Sequence, residues 1–159
     1  ALPIYRVGSH ADMESALTRE AARADAVVMA AAVADFTVPA QSQKVKKTAG
    51  EAPVLHLEQT SDILAGLARN RAASRPFLVG FAAETESDPQ ALARLAEAKL
   101  ASKGCDLIVA NDVSGAAVFG HDRASVLIVS RDGSVRQIAD ESKLAIGGAV
   151  CAAIAEQLT

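Results

Sequence analysis

The amino-acid sequence predicts a Rossmann-like α/β fold with three layers, α/β/α, and a mainly parallel sheet that ends in a C-terminal β-hairpin. Short apolar runs alternate with longer stretches of helical spacing through most of the 159 residues, which is typical of a sheet covered by helices. Continuous apolar runs are typical of strands that are buried on both faces. Near the C-terminus, Asp132-Gly133 separates two apolar runs and predicts a hairpin turn.

The first elements are predicted by a cap and by periodicity. Residues 4–7 predict a short strand, and Ser9 can cap a helix whose apolar positions recur at helical spacing as far as Ala21. Residues 26–31 are a continuous apolar run, which predicts a strand that is buried on both faces.

A polar segment over residues 35–51 follows and has no convincing period. Unstructured loops of this length in compact domains are usually functional or mobile. Beyond it, residues 53–57 predict a strand, and Ser61 caps a helix that runs to about residue 73. The second half of the chain predicts strands over residues 77–81, 106–110, 125–130 and 134–138, and helices over residues 88–101 and 142–158.

The composition limits the class of protein. The formal net charge is −3, with 16 Lys and Arg against 19 Asp and Glu, which provides no basic surface for nucleic acid. No run approaches the roughly 20 apolar residues of a membrane-spanning helix, and the N-terminus lacks the features of a signal peptide. We therefore expect a single cytoplasmic domain over residues 1–159 that binds neither nucleic acid nor a membrane.

Two segments at or after a predicted strand end carry charges that suit a nucleotide. Asp35 follows a run of small residues, where its carboxylate can hold a ribose hydroxyl or a metal ion; a turn-initiating Asp is the alternative. Lys44, Lys46 and Lys47 lie within four residues of the long loop, and three ammonium groups can neutralise a triphosphate. A mobile loop can close over such a ligand; a solvated loop is the alternative.

Two further segments place polar or aromatic groups near the same edge. The helix start that contains Ser61 and Asp62 favours anions, and the carboxylate of Asp62 can carry magnesium; ordinary N-capping is the alternative. Phe81 lies at a predicted strand end, where its ring can meet a base. Lys99 and Lys103 are four residues apart and project from one helix face, where they repel each other unless an anion lies between them. A solvated helix face is the alternative.

Five strings in a fixed order resemble the phosphopantothenate–cysteine ligase family, which is the synthetase half of the bacterial bifunctional coenzyme A enzyme. They are AAVADF, KVKK, SDIL (where the family commonly has PDIL), GFAAET and LIVANDV. FGHDRASVLIV and the Ser-Lys pair before the last helix extend the resemblance to nearly the whole chain. Each string alone is a weak signal, but five in order are highly specific.

The resemblance implies a two-step reaction. The carboxylate of 4′-phosphopantothenate attacks the α-phosphate of CTP, which gives an acyl-cytidylate and pyrophosphate; the amine of cysteine then displaces CMP. It implies that Lys44 assists acyl-cytidylate formation, that Ala31 and Ala32 lie against the intermediate, and that magnesium accompanies the triphosphate. The residues that it implies for CTP binding are Asp35, Lys44, Ser61, Asp62, Ile63, Leu64, Phe81, Lys99 and Lys103.

The resemblance also implies a homodimer and a possible fusion to a flavin-dependent decarboxylase domain. The family's Gly-rich first strand and its Asn-x-Ser-Ser-Gly-type segment, which contacts phosphopantothenate, have no counterpart here. We therefore expect a C-terminal part of the domain that retains much of the CTP site and lacks part of the machinery for full turnover. Two alternatives are a non-catalytic nucleotide-binding or dimerisation module and a nicotinamide-dependent reductase, although the glycine fingerprint of the latter is absent.

Overall fold

A five-stranded mixed sheet forms the centre of the fold in the computed structural model, which describes residues 2–39, 54–114 and 121–158. The first three strands in spatial order run parallel, and the last two are antiparallel. In that order the strands are β1 (Ala26–Met29), β4 (Phe77–Glu84), β5 (Leu107–Asp112), β6 (Arg123–Ser130) and β7 (Val135–Ser142). A separate antiparallel pair joins β2 (Phe36–Thr37) to β3 (Glu58–Gln59).

Helices cover both faces of the sheet, which confirms the predicted three-layer architecture. Helices α1 (His10–Ala21), α2 (Ile63–Asn70) and α3 (Pro89–Lys103) pack on one face, and α4 (Lys143–Leu158) packs on the other. Ser9 caps α1 as predicted, since its hydroxyl accepts a hydrogen bond from the Asp12 amide. Within the described residues, none of the helices combines the length and the apolar character that a membrane crossing requires.

The central strands owe their continuous apolar runs to this double cover. Leu78 and Ile108 pack in the core with α1 to α3, while their neighbours Val79 and Val109 pack in the core with α4. All four side chains are at most 2% exposed. The predicted hairpin is also confirmed, because β6 and β7 pair on either side of Asp132-Gly133.

Some details of the predicted strands are wrong. Residues 4–7 and 54–57 lie outside any strand, because an apolar run becomes a strand only where another strand is available to pair with it. The run at residues 26–31 forms a strand only as far as Met29. It is not buried on both faces either: Val28 is 47% exposed. Among the described strands β1 is an edge strand, and α4 packs mainly over the strands beyond it.

A buried ion pair ties the end of α2 to the starts of β4 and β5. The side chains of Arg71 and Asp106 are 5% and 8% exposed, and Arg71 Nη2 donates to Asp106 Oδ1 at 3.0 Å. Asp106 Oδ2 accepts from the Leu78 amide at 2.8 Å, and Arg71 Nη1 donates to the Pro76 carbonyl at 2.9 Å. Arg131 Nη1 lies 3.1 Å from Asp106 Oδ1. This cluster fixes the register of three chain segments through one carboxylate.

Gly80 lies where two core side chains leave no room for a methyl group. A Cβ at this position would lie 2.7 Å from Leu64 Cδ2 and 2.9 Å from Ile108 Cδ1. We expect Gly80→Ala to lower the free energy of unfolding by about 1–3 kcal/mol in urea denaturation, because both neighbours must shift within a packed core.

Gly148 in α4 is the matched control, because a Cβ there meets nothing within 4 Å. We expect Gly148→Ala to raise the free energy of unfolding by about 0.5–1 kcal/mol, since alanine is the better helix former. Equal stability of Gly80→Ala and the parent chain would show that Leu64 and Ile108 can move aside without loss.

Candidate functional site

A cavity of about 240 Å³ lies beyond the carboxyl end of β1, beside the start of α2 and the last turns of α3. In α/β sheets, ligands bind beyond the carboxyl ends of the strands. The cavity gathers all the predicted site residues that the structure describes; Lys44, Lys46 and Lys47 lie outside the described residues. Those in the cavity are Ala31, Ala32, Asp35, Ser61, Asp62, Ile63, Leu64, Phe81, Lys99 and Lys103.

The floor of the cavity is the chain between β1 and β2. Its small residues, Ala31 and Ala32, are exposed and leave the backbone accessible to a ligand. Thr60 fixes this floor: its hydroxyl donates to the Ala34 carbonyl at 2.7 Å and its amide donates to the Asp35 carbonyl at 2.9 Å. The pairing of β2 with β3 continues the same connection. These contacts hold the segment that follows β1 beside the segment that precedes α2.

The start of α2 forms one wall, and its cap differs from the prediction. The N-cap is Asp62, not Ser61, because Asp62 has an extended backbone and its Oδ1 accepts from the Ala65 amide at 3.0 Å. The Ser61 hydroxyl instead donates to Glu14 Oε1 at 2.7 Å. His10 Nε2 lies 2.7 Å from the Ser61 carbonyl oxygen. Two side chains of α1 thus hold the turn that precedes α2, and neither of these long-range contacts has a local sequence signal.

Apolar groups complete the wall on the sheet side. Ile63 and Leu64 are buried, and both belong to the core that α1 to α3 share with the sheet. Their side chains therefore form the buried part of the cavity wall and have little contact with solvent. Phe81 lies within β4 and not at a strand end as predicted, because the strand continues to Glu84. It is exposed and is the one aromatic ring among the described residues that line the cavity.

The two cavity lysines are each paired with a carboxylate. Lys99 Nζ lies 2.7 Å from Glu84 Oε1, and Lys103 Nζ forms an ion pair with Asp62 Oδ2. The repulsion that the sequence predicts between Lys99 and Lys103 is therefore relieved by carboxylates from two other elements. Glu84 is the last residue of β4; it belongs to the string GFAAET but was not among the predicted site residues.

Asp62 is ionised and fully engaged in this arrangement. Partial burial favours its neutral form, but hydrogen bonds from Lys103 and the Ala65 amide outweigh burial and hold the pKa of its carboxyl below the usual value. Its two oxygens already have partners, so it would have to release Lys103 before it could bind a cation. Among the described residues, no group of three or more His, Cys, Asp or Glu side chains could hold a metal ion.

The fold and the cavity define an α/β domain whose candidate site has the position that ligand sites take in doubly wound sheets. Residues 1–158 match the family model of the DNA/pantothenate metabolism flavoprotein C-terminal domain. The chain therefore belongs to this family, which confirms the family that its sequence strings predict.

Named relatives agree with this family. The coenzyme A biosynthesis bifunctional protein CoaBC of Mycobacterium bovis is 36% identical over 157 residues, which are 95% of this chain and 37% of that protein. The CoaBC protein of Bacillus subtilis is 42% identical over 140 residues, which are 87% of this chain and 33% of that protein. The chain thus spans about a third of the length of these curated relatives.

A solved structure is similar over nearly the whole chain. The crystal structure of the C-terminal domain of a CoaBC protein has a TM-score of 0.74 and 28% sequence identity. The match covers 97% of this chain and 65% of that chain. The Rossmann-like fold predicted from the sequence is therefore confirmed.

Proposed function

We propose that this chain is the CTP-using part of an enzyme that joins 4′-phosphopantothenate to cysteine in coenzyme A biosynthesis. The observation that carries the proposal is the cavity beyond β1. Every described residue that the resemblance assigns to CTP or to the reaction intermediate lines it. These residues come from separate segments of the chain, so their meeting is a property of the fold. The relatives' names, which refer to coenzyme A biosynthesis, support the pathway.

In the proposed reaction, a carboxylate oxygen of 4′-phosphopantothenate attacks the α-phosphorus of CTP, and the bond to the β-phosphate breaks. Pyrophosphate leaves, and an acyl-cytidylate remains. The amine of cysteine then attacks the acyl carbon and loses a proton, and CMP leaves as the amide forms. In both steps, negative charge develops on the nucleotide phosphates. Positioned ammonium groups stabilise this charge.

The proposal gives each cavity residue a simple task. Phe81 offers an exposed ring to the base, and Lys99 and Lys103 bind phosphate oxygens. Asp35 accepts a hydrogen bond from the ribose, while Lys44 stabilises the charge that develops on the α-phosphate. The small floor residues let the acyl-cytidylate lie against the backbone.

Magnesium enters the proposal as a companion of the triphosphate. The described residues do not fit a protein-built magnesium cage, because Asp62 is held by Lys103 and by the cap of α2. A magnesium ion bound to CTP would reduce the charge that the protein must neutralise.

The proposal extends to the larger protein. We infer that full turnover requires chain beyond the 159 residues, since the solved relative is longer than the part that matches. We also propose a cytoplasmic homodimer and, as in bifunctional relatives of more than twice this length, a fusion to a second catalytic domain, for which a flavin-dependent decarboxylase is the candidate.

CTP selectivity tests the proposal on the chain as it stands. At one hundred times its dissociation constant, a ligand that binds only the native state stabilises it by about 2.7 kcal/mol, which corresponds to a rise in Tm of roughly 5–10 °C for a domain of this size. We expect CTP with magnesium to give such a rise in a thermal-shift assay and ATP or GTP to give a smaller one. Equal shifts for all three nucleotides would contradict base recognition by this cavity.

A further inference from the structure

The carboxylates beside the two cavity lysines leave the cavity without excess positive charge. Glu84 faces Lys99, and Asp62 faces Lys103. Asp35 adds a further negative charge to the lining. Within the described residues, the charged groups of the cavity and their partners are therefore two ammonium groups and three carboxylates. A polyphosphate that enters this cavity meets no surplus of cations there.

The pair at the end of β4 is the less exposed of the two. The side chain of Glu84 is 18% exposed and that of Lys99 is 43% exposed, so solvent screens their attraction less than in a pair at the open surface. Lys103 and Asp62 are both about two-fifths exposed, at 36% and 40%. Of the two carboxylates, Asp62 also caps α2, whereas Glu84 Oε1 forms its ion pair with the ammonium of Lys99.

We propose that Glu84 and Asp62 are built-in competitors for the phosphate-binding lysines, so that they set the affinity of the cavity for polyphosphate. The inference rests on the proposed function, since it takes the lysines as phosphate ligands. When a phosphate oxygen approaches, each ammonium group either leaves its carboxylate for the phosphate or binds both at once. In either case the carboxylate repels the incoming anion. The cavity then selects ligands whose charge is compensated by a bound cation. Free anions of similar size are disfavoured.

The signs of the expected effects separate this role from a purely structural one. Removing the charge of Glu84 takes away both a competitor for Lys99 and a repulsive neighbour of the phosphate. Two unit charges about 6 Å apart interact by roughly 1–3 kcal/mol at the dielectric constants of partly exposed sites. We therefore expect Glu84→Gln to bind more tightly, not less, by roughly fivefold to one hundredfold. Asp62→Asn is expected to show a smaller gain in the same direction, because its pair is more exposed.

Isothermal titration with inorganic pyrophosphate in the absence of divalent cations is the direct test. Both substitutions keep the size of the side chain, and asparagine remains a good N-cap for α2, so the fold is expected to persist; the Tm of each variant checks this. Glu97→Gln is the matched control, because Glu97 lies on the same helix as Lys99 and is exposed. We expect this control to change pyrophosphate affinity by less than about twofold.

Tighter pyrophosphate binding by Glu84→Gln than by the parent chain and by Glu97→Gln supports the proposal. Unchanged or weaker binding, including binding too weak to detect in all variants, overturns it. The probe carries no base, so the result is independent of CTP selectivity. A chain that binds CTP no better than ATP would count against the proposed function, while the response of pyrophosphate binding to Glu84→Gln would still decide the inference.

Discussion

Lys44→Gln is expected to slow acyl-cytidylate formation by roughly 10²–10³ while it changes CTP affinity far less, because loss of one positioned charge-stabilising donor typically has this effect. The non-bridging oxygens of the α-phosphate gain negative charge as the carboxylate attacks. A positioned ammonium group therefore stabilises the transition state more than the bound ground state. The measurement is pyrophosphate release together with CTP affinity, in a chain extended to the length of the solved domain.

Lys99→Gln and Lys103→Gln provide the contrast, because both residues line the cavity and are proposed to hold the phosphates in every state. We expect these two variants to weaken CTP affinity. Lys143→Gln is the matched charge control, since Lys143 begins α4 on the opposite face of the sheet. Near-normal turnover of Lys44→Gln would show that the Lys44 charge is not needed for the reaction and would refute this mechanism.

Asp106→Asn is expected to have the largest effect on stability, with a loss of about 3–5 kcal/mol in the free energy of unfolding, because it leaves a buried guanidinium without its charge partner. Arg71 is buried and donates to both Asp106 oxygens. Urea denaturation monitored by circular dichroism measures the change.

The exposed pair of Asp25 and Arg75 is the matched control. Arg75 Nη1 lies 2.9 Å from Asp25 Oδ1, but the side chains of Asp25 and Arg75 are 79% and 63% exposed. We expect Asp25→Asn to cost less than about 1 kcal/mol, since solvent screens such pairs. A loss below 1 kcal/mol for Asp106→Asn as well would show that water or a neighbouring group replaces the carboxylate.

The parts of the fold that depend on local signals could be predicted from the sequence. Ser9 caps α1, and Asp132-Gly133 turns β6 into β7, because a cap and a tight turn involve only nearby residues. The strand predicted over residues 53–57 failed where the structure describes it, because an apolar run does not show whether a partner strand is present. The two-residue pairing of β2 with β3 could not be predicted for the same reason, because it depends on how distant parts of the chain meet at the cavity.

The candidate site was predicted as a set of residues, but its internal contacts were not. The family resemblance and the helical spacing of the two lysines indicated Lys99, Lys103 and Asp62, and the cavity brings them together. The pairing of Lys99 with Glu84 could not be read from spacing, because the two residues come from a helix and a strand whose relative position is set by tertiary packing. The N-cap of α2 could not be predicted from residue type either, since Asp and Ser both cap helices well.

The place of β1 in the sheet has a consequence for the order in which the molecule assembles. β6 and β7 meet across a short turn, whereas Ala26 must find Phe77 on a distant part of the chain. Closing the longer loop loses more chain entropy before any contact compensates for it. The four residue pairs of β1 with β4 are therefore expected to form late in folding and to open first in the native state. Because the cavity floor follows β1 directly, a ligand that rests on Ala31 and Ala32 would oppose this opening, so that binding and the local unfolding equilibrium become thermodynamically linked.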